Sequence, residues 1–170
     1  MPLPAWFRSI TFGAALFCAV WAGVASAAAQ GVVRATYGDW QLRCEAASGA
    51  REQCALVQNV VTEDKGNLGL VVIVVKTADG SGLLLRVVAP LNILLPNGLG
   101  LRIDRTEIGR AGFVRCLSSG CVAEVVMDAQ LLAQFRSGRT ATFVVWPTPD
   151  EGVGIPVALA GFPAGVAALP

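Results

Sequence analysis

Residues 68–88 read LGLVVIVVKTADGSGLLLRVV, and this stretch decides the fold class. Residues 68–75 are apolar at odd and even positions alike, which is typical of a strand covered on both faces. Residues 78–82 form a turn, because Asp79-Gly80 supplies the positive φ that hairpin turns need. Residues 83–88 are the returning strand, so the stretch predicts a β-hairpin.

Shorter strand patterns flank this hairpin. Trp40, Leu42 and Cys44 alternate with polar residues, as in a half-buried strand. Residues 30–36 are expected to be a small polar lead-in, and residues 161–170 a small apolar tail. The other strands are predicted at residues 54–61, 99–103, 113–116, 121–127, 140–146 and 155–159.

One short helix is predicted after residue 127. Asp128 is a suitable N-cap, Leu131 and Phe135 have helical spacing, and Gly138 ends the helix. The chain therefore predicts a mainly β fold, an antiparallel β-sandwich or partly closed barrel of about eight or nine short strands with one short helix.

The first 29 residues have the three parts of a secretory signal peptide. Arg8 gives a charged start, residues 10–24 are apolar, and small residues follow at 25–29. The alternatives are an uncleaved anchor, for which roughly 20 apolar residues are needed, and a lipoprotein, for which Cys18 is badly placed. We therefore predict a signal peptide at 1–29, a single domain at 30–170 and no membrane span after cleavage.

Cleavage is expected after Ala27 or Ala29, since both sites have small residues one and three positions before the cut. The mature protein should then begin at Ala28 or Gln30. Intact-mass measurement of the periplasmic protein checks this, and a species that still begins at Met1 would contradict it.

Charge argues against nucleic acid as a partner. The chain has 13 Lys+Arg and 12 Asp+Glu, and Arg8 is the one charged residue in the signal peptide. The mature formal net charge is therefore zero, so no basic field attracts nucleic acid. Near-zero charge together with a high apolar content also predicts poor solubility and a tendency to associate.

Four cysteines remain after cleavage: Cys44, Cys54, Cys116 and Cys121. An even number in an exported domain predicts two disulfides, and three pairings are possible. The local pairs 44–54 and 116–121 are the economical choice, since each would join the ends of a strand-turn-strand segment. Neither pair is C-x-x-C and the chain has no His, which argues against a zinc site or a redox pair.

No catalytic constellation is visible. Without His, the commonest general base is missing, and the acidic residues fall mostly at turns, caps or the polar side of strands. No phosphate-loop motif occurs. We predict no catalytic residues, no metal and no cofactor, and therefore not an enzyme.

Residues 90–100 contain two prolines and two glycines and are predicted to be an apolar loop or edge. The candidate partner surface is the first part of this segment, residues 90–95. It either folds onto the core or presents a sticky patch to a partner. Its candidate residues are Leu91, Ile93, Leu94 and Leu95.

Several short motifs together resemble the invasion-associated locus B family of exported bacterial proteins. The resemblance runs over about residues 37–169 and includes the four cysteines in order. It is carried by Gly38-Asp39-Trp40-x-Leu42-x-Cys44, Cys54-x-Leu56-x-Gln58, Pro96-Asn97-Gly98-Leu99-x-Leu101-x-Ile103-Asp104, Phe113-x-x-Cys116-x-x-x-Gly120-Cys121-x-Ala123 and Leu159-x-Gly161-Phe162.

This resemblance implies a periplasmic or outer-envelope protein, in some members tied to entry into host cells, and carries over no catalytic residues. The function it favours is an exported binding or adhesion module that takes an envelope or host-cell protein as its partner. The alternatives are a structural or folding-support protein of the envelope without a host role, and a hydrolase with an unrecognised site.

Overall fold

The structure is a computed structural model that describes residues 31–45, 52–62 and 68–170. The predicted signal peptide, its cleavage sites and the start of the mature domain at residue 30 lie outside the described residues. Two antiparallel sheets make up most of the described chain. The larger has seven strands, in the spatial order β1 (Val32–Tyr37), β2 (Trp40–Glu45), β3 (Gln53–Thr62), β4 (Leu68–Lys76), β5 (Leu83–Ala89), β9 (Gly120–Met127) and β8 (Phe113–Leu117).

The second sheet has four strands and packs against the first. Its spatial order is β11 (Val153–Ala158), β10 (Thr140–Val145), β6 (Leu99–Ile103) and β7 (Thr106–Ala111). Neither sheet closes on itself, so the fold is a sandwich and not a barrel. The predicted mainly β, antiparallel class is thus confirmed, with eleven strands in the described residues against the eight or nine expected.

The core lies between the two sheets. On β4, Leu70, Val72 and Val74 point inward and are buried, and Phe143 and Ile155 face them from the smaller sheet. The alternation that predicted these strands places every second side chain in this layer. Burial of these apolar side chains is the main stabilising contribution to the fold.

The central hairpin forms as predicted, but one face of β4 is not covered. Val71, Ile73 and Val75 point away from the core and are half-buried. The prediction that β4 is covered on both faces is therefore wrong for the isolated chain. No element of the described residues packs over this side of the sheet centre.

Two strands of the structure were not predicted from the sequence. Residues 32–37 form β1, an edge strand instead of a polar lead-in, and its Val32 and Val33 are exposed. The other is β7, the edge strand of the smaller sheet, which contains Gly109 and little alternation. Edge strands bury only part of one face, so the period-two signal is weak in both.

The predicted helix is α1 (Ala129–Ser137). The Asp128 carboxylate accepts a hydrogen bond from the backbone N–H of Leu131 at 2.7 Å, and Leu131 and Phe135 are buried. A second helix, α2 (Phe162–Ala167), replaces the expected apolar tail. The prediction of a single helix is therefore wrong.

Helix α2 joins the C-terminal end of the chain to the β1–β2 turn. The Trp40 indole N–H donates to the Ala158 carbonyl at 2.9 Å, and its ring lies edge-on to Phe162 with centroids 5.2 Å apart. Gly161 has a φ of 86°, and a Cβ there would lie 2.1 Å from the Tyr37 carbonyl oxygen. Only glycine permits this approach. Two motifs far apart in sequence therefore close one end of the sandwich together.

Candidate functional site

The outer face of the seven-stranded sheet carries apolar side chains at its centre that no other element of the described residues covers. A solvated sheet face is normally polar, whereas the centre of this one is apolar. We call these six half-buried side chains the outer band: Val57, Val71, Ile73, Val75, Leu84 and Val88.

Strand register makes the outer band continuous across three strands. Val57 on β3 lies directly opposite Ile73 on β4. On the other side of β4, Val71 faces Val88 and Val75 faces Leu84 of β5. Directly opposite side chains have Cβ atoms about 4.5–5.5 Å apart, so the six form one patch.

One ion pair interrupts the outer band on β5. Arg86 lies between Leu84 and Val88, opposite Ile73, and its Nε lies 2.6 Å from a carboxylate oxygen of Glu124 on β9. Both side chains are partly exposed. The Glu124 carboxylate neutralises the Arg86 charge, so the face carries no net charge at this position.

A broad groove of about 640 Å³ crosses this face and includes Val57, Val71, Ile73 and Val75. Its polar border is supplied by Arg43, Glu45, Gln53 and Asn59. An apolar centre with a polar rim is the usual anatomy of a protein–protein interface. The surface chemistry therefore suits a protein partner.

The candidate segment at residues 90–95 lies in the connection between β5 and β6. Its four candidate side chains differ in exposure. Leu91 and Leu95 are exposed at 43% and 44%, while Ile93 and Leu94 are half-buried. Ile93 packs against the core, and the Leu94 N–H donates to the Trp146 carbonyl at 2.7 Å. Only Leu91 and Leu95 of the four offer much apolar area to a partner, so the segment is a smaller surface than the outer band.

The cysteines lie in the two predicted local pairs at bonding distance. Cys44 and Cys54 are opposite each other on β2 and β3, and Cys116 and Cys121 are opposite on β8 and β9. Each pair ties two neighbouring strands of the large sheet on either side of the outer band. That the two pairs are bonded as disulfides stays a prediction.

Several acidic side chains of the described residues accept hydrogen bonds within turns or at a helix cap. Asp104 accepts hydrogen bonds from the backbone N–H groups of Arg139 and Thr140, and Asp128 caps α1. In the β4–β5 turn, hydrogen bonds from Ser81 and then Thr77 lower the pKa of Asp79 to about 2. These carboxylates stabilise turns and caps.

One cluster in the described residues has the spacing of metal ligands, namely Cys44, Glu52 and Cys54. The two sulfur atoms lie at bonding distance from each other, and Glu52 accepts a hydrogen bond from the Arg34 Nε at 3.1 Å. A bonded disulfide supplies no thiolate, and zinc sites need thiolates. The cluster therefore does not suit a metal. That the protein has no catalytic residue and no cofactor stays a prediction.

The family of the chain follows from comparison with known proteins. The sequence model of the family described as "Invasion associated locus B (IalB) protein" matches residues 40–170. The chain belongs to this family. The match begins at Trp40 and spans both cysteine pairs and the Gly161-Phe162 motif, which the fold brings to Trp40.

Two members of the IalB family with curated names are moderately similar to this chain in sequence. "Invasion protein B homolog" of Brucella abortus (strain 2308) is 29% identical over 134 residues, covering 77% of this chain and 75% of the relative. "Invasion protein B" of Bartonella bacilliformis is 28% identical over 106 residues, covering 61% of this chain and 55% of the relative.

A solved IalB-family structure has the same fold. The crystal structure of invasion associated protein B from Bartonella henselae superposes with a TM-score of 0.64 at 24% identity. The match covers 78% of this chain and 91% of that one. It supports the sandwich assignment.

Family membership and the two cysteine pairs indicate an exported protein. Among the described residues, no helix has the length and apolar character needed to cross a membrane.

The outer band is not among the surfaces predicted from the sequence. Its signal is present, because residues 68–75 are apolar at odd and even positions alike. That pattern predicts a strand covered on both faces. It fits equally well a face that another molecule covers.

Proposed function

We propose that this protein is an exported envelope-associated binding module that docks a protein partner on the outer band. The observation that supports this most strongly is the uncovered apolar face of β3, β4 and β5. Monomeric proteins rarely leave large contiguous apolar patches open unless they are used. The partner is an envelope or host-cell protein, and the protein works in the periplasm, at the outer envelope or after secretion.

The names of the relatives support the same class of function. The Brucella and Bartonella relatives are named invasion proteins, which is consistent with a surface that contacts other proteins. A contribution to host-cell interaction is part of the proposal. The chemistry of the outer band gives no reason to expect catalysis, because it consists of aliphatic side chains beside one neutralised ion pair.

The test replaces two β-branched apolar side chains at the centre of the outer band with threonine. In Val71→Thr/Ile73→Thr the β-branched shape stays, so strand propensity is kept, but the apolar contact is reduced. We expect partner capture to fall about tenfold or more, since central interface residues each contribute more than ~1 kcal/mol. The measurement is quantitative pull-down from envelope and host-cell membrane extracts, with thermal melting of the same preparations.

The matched control is Val32→Thr/Val114→Thr, which changes two exposed valines on edge strands. A second arm, Leu91→Asp/Leu95→Asp, tests the candidate segment at 90–95. The proposal requires that only the outer-band variant lose the partner while all variants melt near the wild type.

Three results would contradict the proposal. The partner could be lost with the Leu91/Leu95 variant instead, which would move the surface. No extract could yield a saturable partner, as a purely structural envelope protein would behave. Finally, sedimentation could show a wild-type dimer that the outer-band variant abolishes, which would make the outer band a contact between copies.

A further inference from the structure

The two cysteine pairs differ in how far solvent reaches them. Cys44 is 4% exposed and Cys54 is half-buried, and their strands β2 and β3 each have a neighbouring strand on both sides. Cys121 is also buried, at 3%, but its partner Cys116 is exposed. Of these four cysteines, Cys116 is therefore the most open to a reagent in solution.

The position of β8 explains this exposure. It is the last strand of the seven-stranded sheet, with β9 on one side and no strand of the described residues on the other. The side chains of residues 114–117 are all exposed, and so are Ser118 and Ser119 in the turn that follows. The sheet edge and the turn therefore leave Cys116 in contact with solvent.

Exposure decides how readily a disulfide reacts. Exchange begins when a thiolate attacks one sulfur atom of the bond, so its rate depends on access to that atom. Exposed disulfides are the labile ones, whereas structural disulfides of exported proteins resist reduction. A bond between Cys116 and Cys121 should therefore react before a bond between Cys44 and Cys54.

The charge beside Cys116 favours the same reaction. Residues 113–123 read FVRCLSSGCVA, and Arg115 is the one charged residue among them. The Arg115 side chain is exposed and forms no ion pair with any described residue. A thiolate is an anion, so the Arg115 cation attracts it to this hairpin.

We propose that Cys116–Cys121 is a thiol–disulfide exchange site, which a dithiol opens while Cys44–Cys54 stays closed. A thiolate of the dithiol attacks the Cys116 sulfur, the S–S bond breaks, and the Cys121 sulfur leaves with the electron pair and takes up a proton. The second thiol of the dithiol then displaces Cys116 from the mixed disulfide. The dithiol is oxidised to a disulfide, and both cysteines are reduced to thiols.

In this exchange the cysteine pair is the substrate and not the catalyst, which agrees with its lack of C-x-x-C spacing. The site is separate from the outer band, so its test does not depend on a protein partner.

Opening the bond should loosen β8 before the rest of the sheet. The ladder between β8 and β9 is irregular between Phe113 and Arg115, and Phe113 is the one β8 side chain that packs against the core. Without the bond, β8 is held mainly by backbone pairing with one neighbour. Segments with few buried contacts open locally at low cost, so residues 115–117 should open more often.

The test treats the native protein with dithiothreitol and follows each cysteine pair by alkylation and peptide mass spectrometry. Cys116–Cys121 should be reduced about tenfold or more faster than Cys44–Cys54, which is the control within the same molecule. Hydrogen exchange should then rise at residues 115–117 and stay unchanged in β2. Reduced thioredoxin at an equal thiol concentration tells a protein dithiol from a small one, by which of the two reacts faster.

Single-cysteine variants locate the reactive sulfur. Cys121→Ala leaves a thiol at the exposed position 116, whereas Cys116→Ala leaves one at the buried position 121. The first should react with an aromatic disulfide reagent about tenfold or more faster than the second. Circular dichroism checks that both variants are folded, and reduction of the wild type does not depend on either of them.

A charge reversal tests the attraction of the thiolate. Arg115→Glu should slow reduction of Cys116–Cys121 about two- to fivefold, and by less at high salt, because salt screens exposed charges. Arg105→Glu, in the exposed turn between β6 and β7, is the matched control and should leave the rate unchanged.

Several outcomes would overturn the proposal. Reduction of both pairs at the same rate, or of Cys44–Cys54 first, would do so, as would free thiols at Cys116 and Cys121 in the untreated protein. A thiol at position 121 that reacts as fast as one at position 116 would contradict the assigned point of attack. Unchanged exchange in β8, or unfolding of the whole domain on selective reduction, would contradict a local release of this strand.

Discussion

Trp40→Ala is expected to lower the free energy of unfolding by about 3–5 kcal/mol. The Trp40 side chain is fully buried, packs edge-on against Phe162 and donates its indole N–H to the Ala158 carbonyl. Removing it leaves a large cavity and takes the indole donor from the partly buried Ala158 carbonyl. For a domain of this size the melting temperature should fall by roughly 10–20 °C. Urea unfolding followed by circular dichroism gives the free energy directly.

The control is Trp146→Ala, because Trp146 is half-buried and its ring lies beneath Arg110. We expect a loss of about 1 kcal/mol or less there, as for most substitutions near the surface. The loss of unfolding free energy in Trp40→Phe should lie between the losses in Trp40→Ala and Trp146→Ala. This variant keeps a ring against Phe162 but loses the indole N–H hydrogen bond. If the free energy of unfolding of Trp40→Ala lay within 1 kcal/mol of the wild-type value, Trp40 would not anchor the β1–β2 turn.

Local sequence pattern predicts those elements whose side chains alternate between core and solvent. In β2, Trp40, Leu42 and Cys44 are buried and the residues between them are not, so a period of two is visible in the sequence. Helix α1 is predictable for a similarly local reason, because Asp128 caps its start and Gly138 follows its end. The sandwich class follows from the number of such segments and the turns between them.

The arrangement of these elements depends on contacts that no local pattern encodes. Trp40 and Phe162 are far apart in sequence, and neither strand periodicity nor helix spacing indicates that they meet. Helix α2 is short, and Gly161, the residue before it, has a positive φ and lies against the Tyr37 carbonyl, a contact that no local pattern reveals. Its stability comes from tertiary packing rather than from helix propensity.

The candidate sites differ in how much the sequence could reveal. The apolar pattern of residues 68–75 showed that both faces of β4 avoid water, but not which face the chain itself covers. The segment at residues 90–95 reveals less, because only the fold shows that Ile93 packs against the core while Leu91 and Leu95 stay exposed.

Removing the disulfide between β2 and β3 is the second change with a large expected effect. The double variant Cys44→Ala/Cys54→Ala should lose about 3 kcal/mol, because the bond closes a ring of 11 residues and restricts the unfolded chain. The Cys116–Cys121 bond closes a ring of six residues, so the double variant Cys116→Ala/Cys121→Ala should lose about 2 kcal/mol. Urea unfolding of each double variant measures these losses, and wild type reduced with dithiothreitol should approach the sum.

The pairing itself is tested by peptide mapping without reduction. Peptides that link Cys44 to Cys54 and Cys116 to Cys121 are expected, and a link from Cys44 to Cys116 or Cys121 would contradict the structure. A small domain holds only about 5–15 kcal/mol in total. Loss of both bonds should therefore expose enough unfolded protein to proteases to lower its abundance in the cell.

The same variants separate a stabilising role of the disulfides from a role in binding. Cys54 borders the groove over the outer band, so loss of its bond could act on the surface as well as on the fold. If the bonds act through stability alone, the Cys44→Ala/Cys54→Ala protein should bind its partner normally at 10 °C, where most of it is folded. It should lose partner and native circular dichroism together on warming. Lost binding with native circular dichroism at 10 °C would instead show that the β2–β3 disulfide shapes the binding surface.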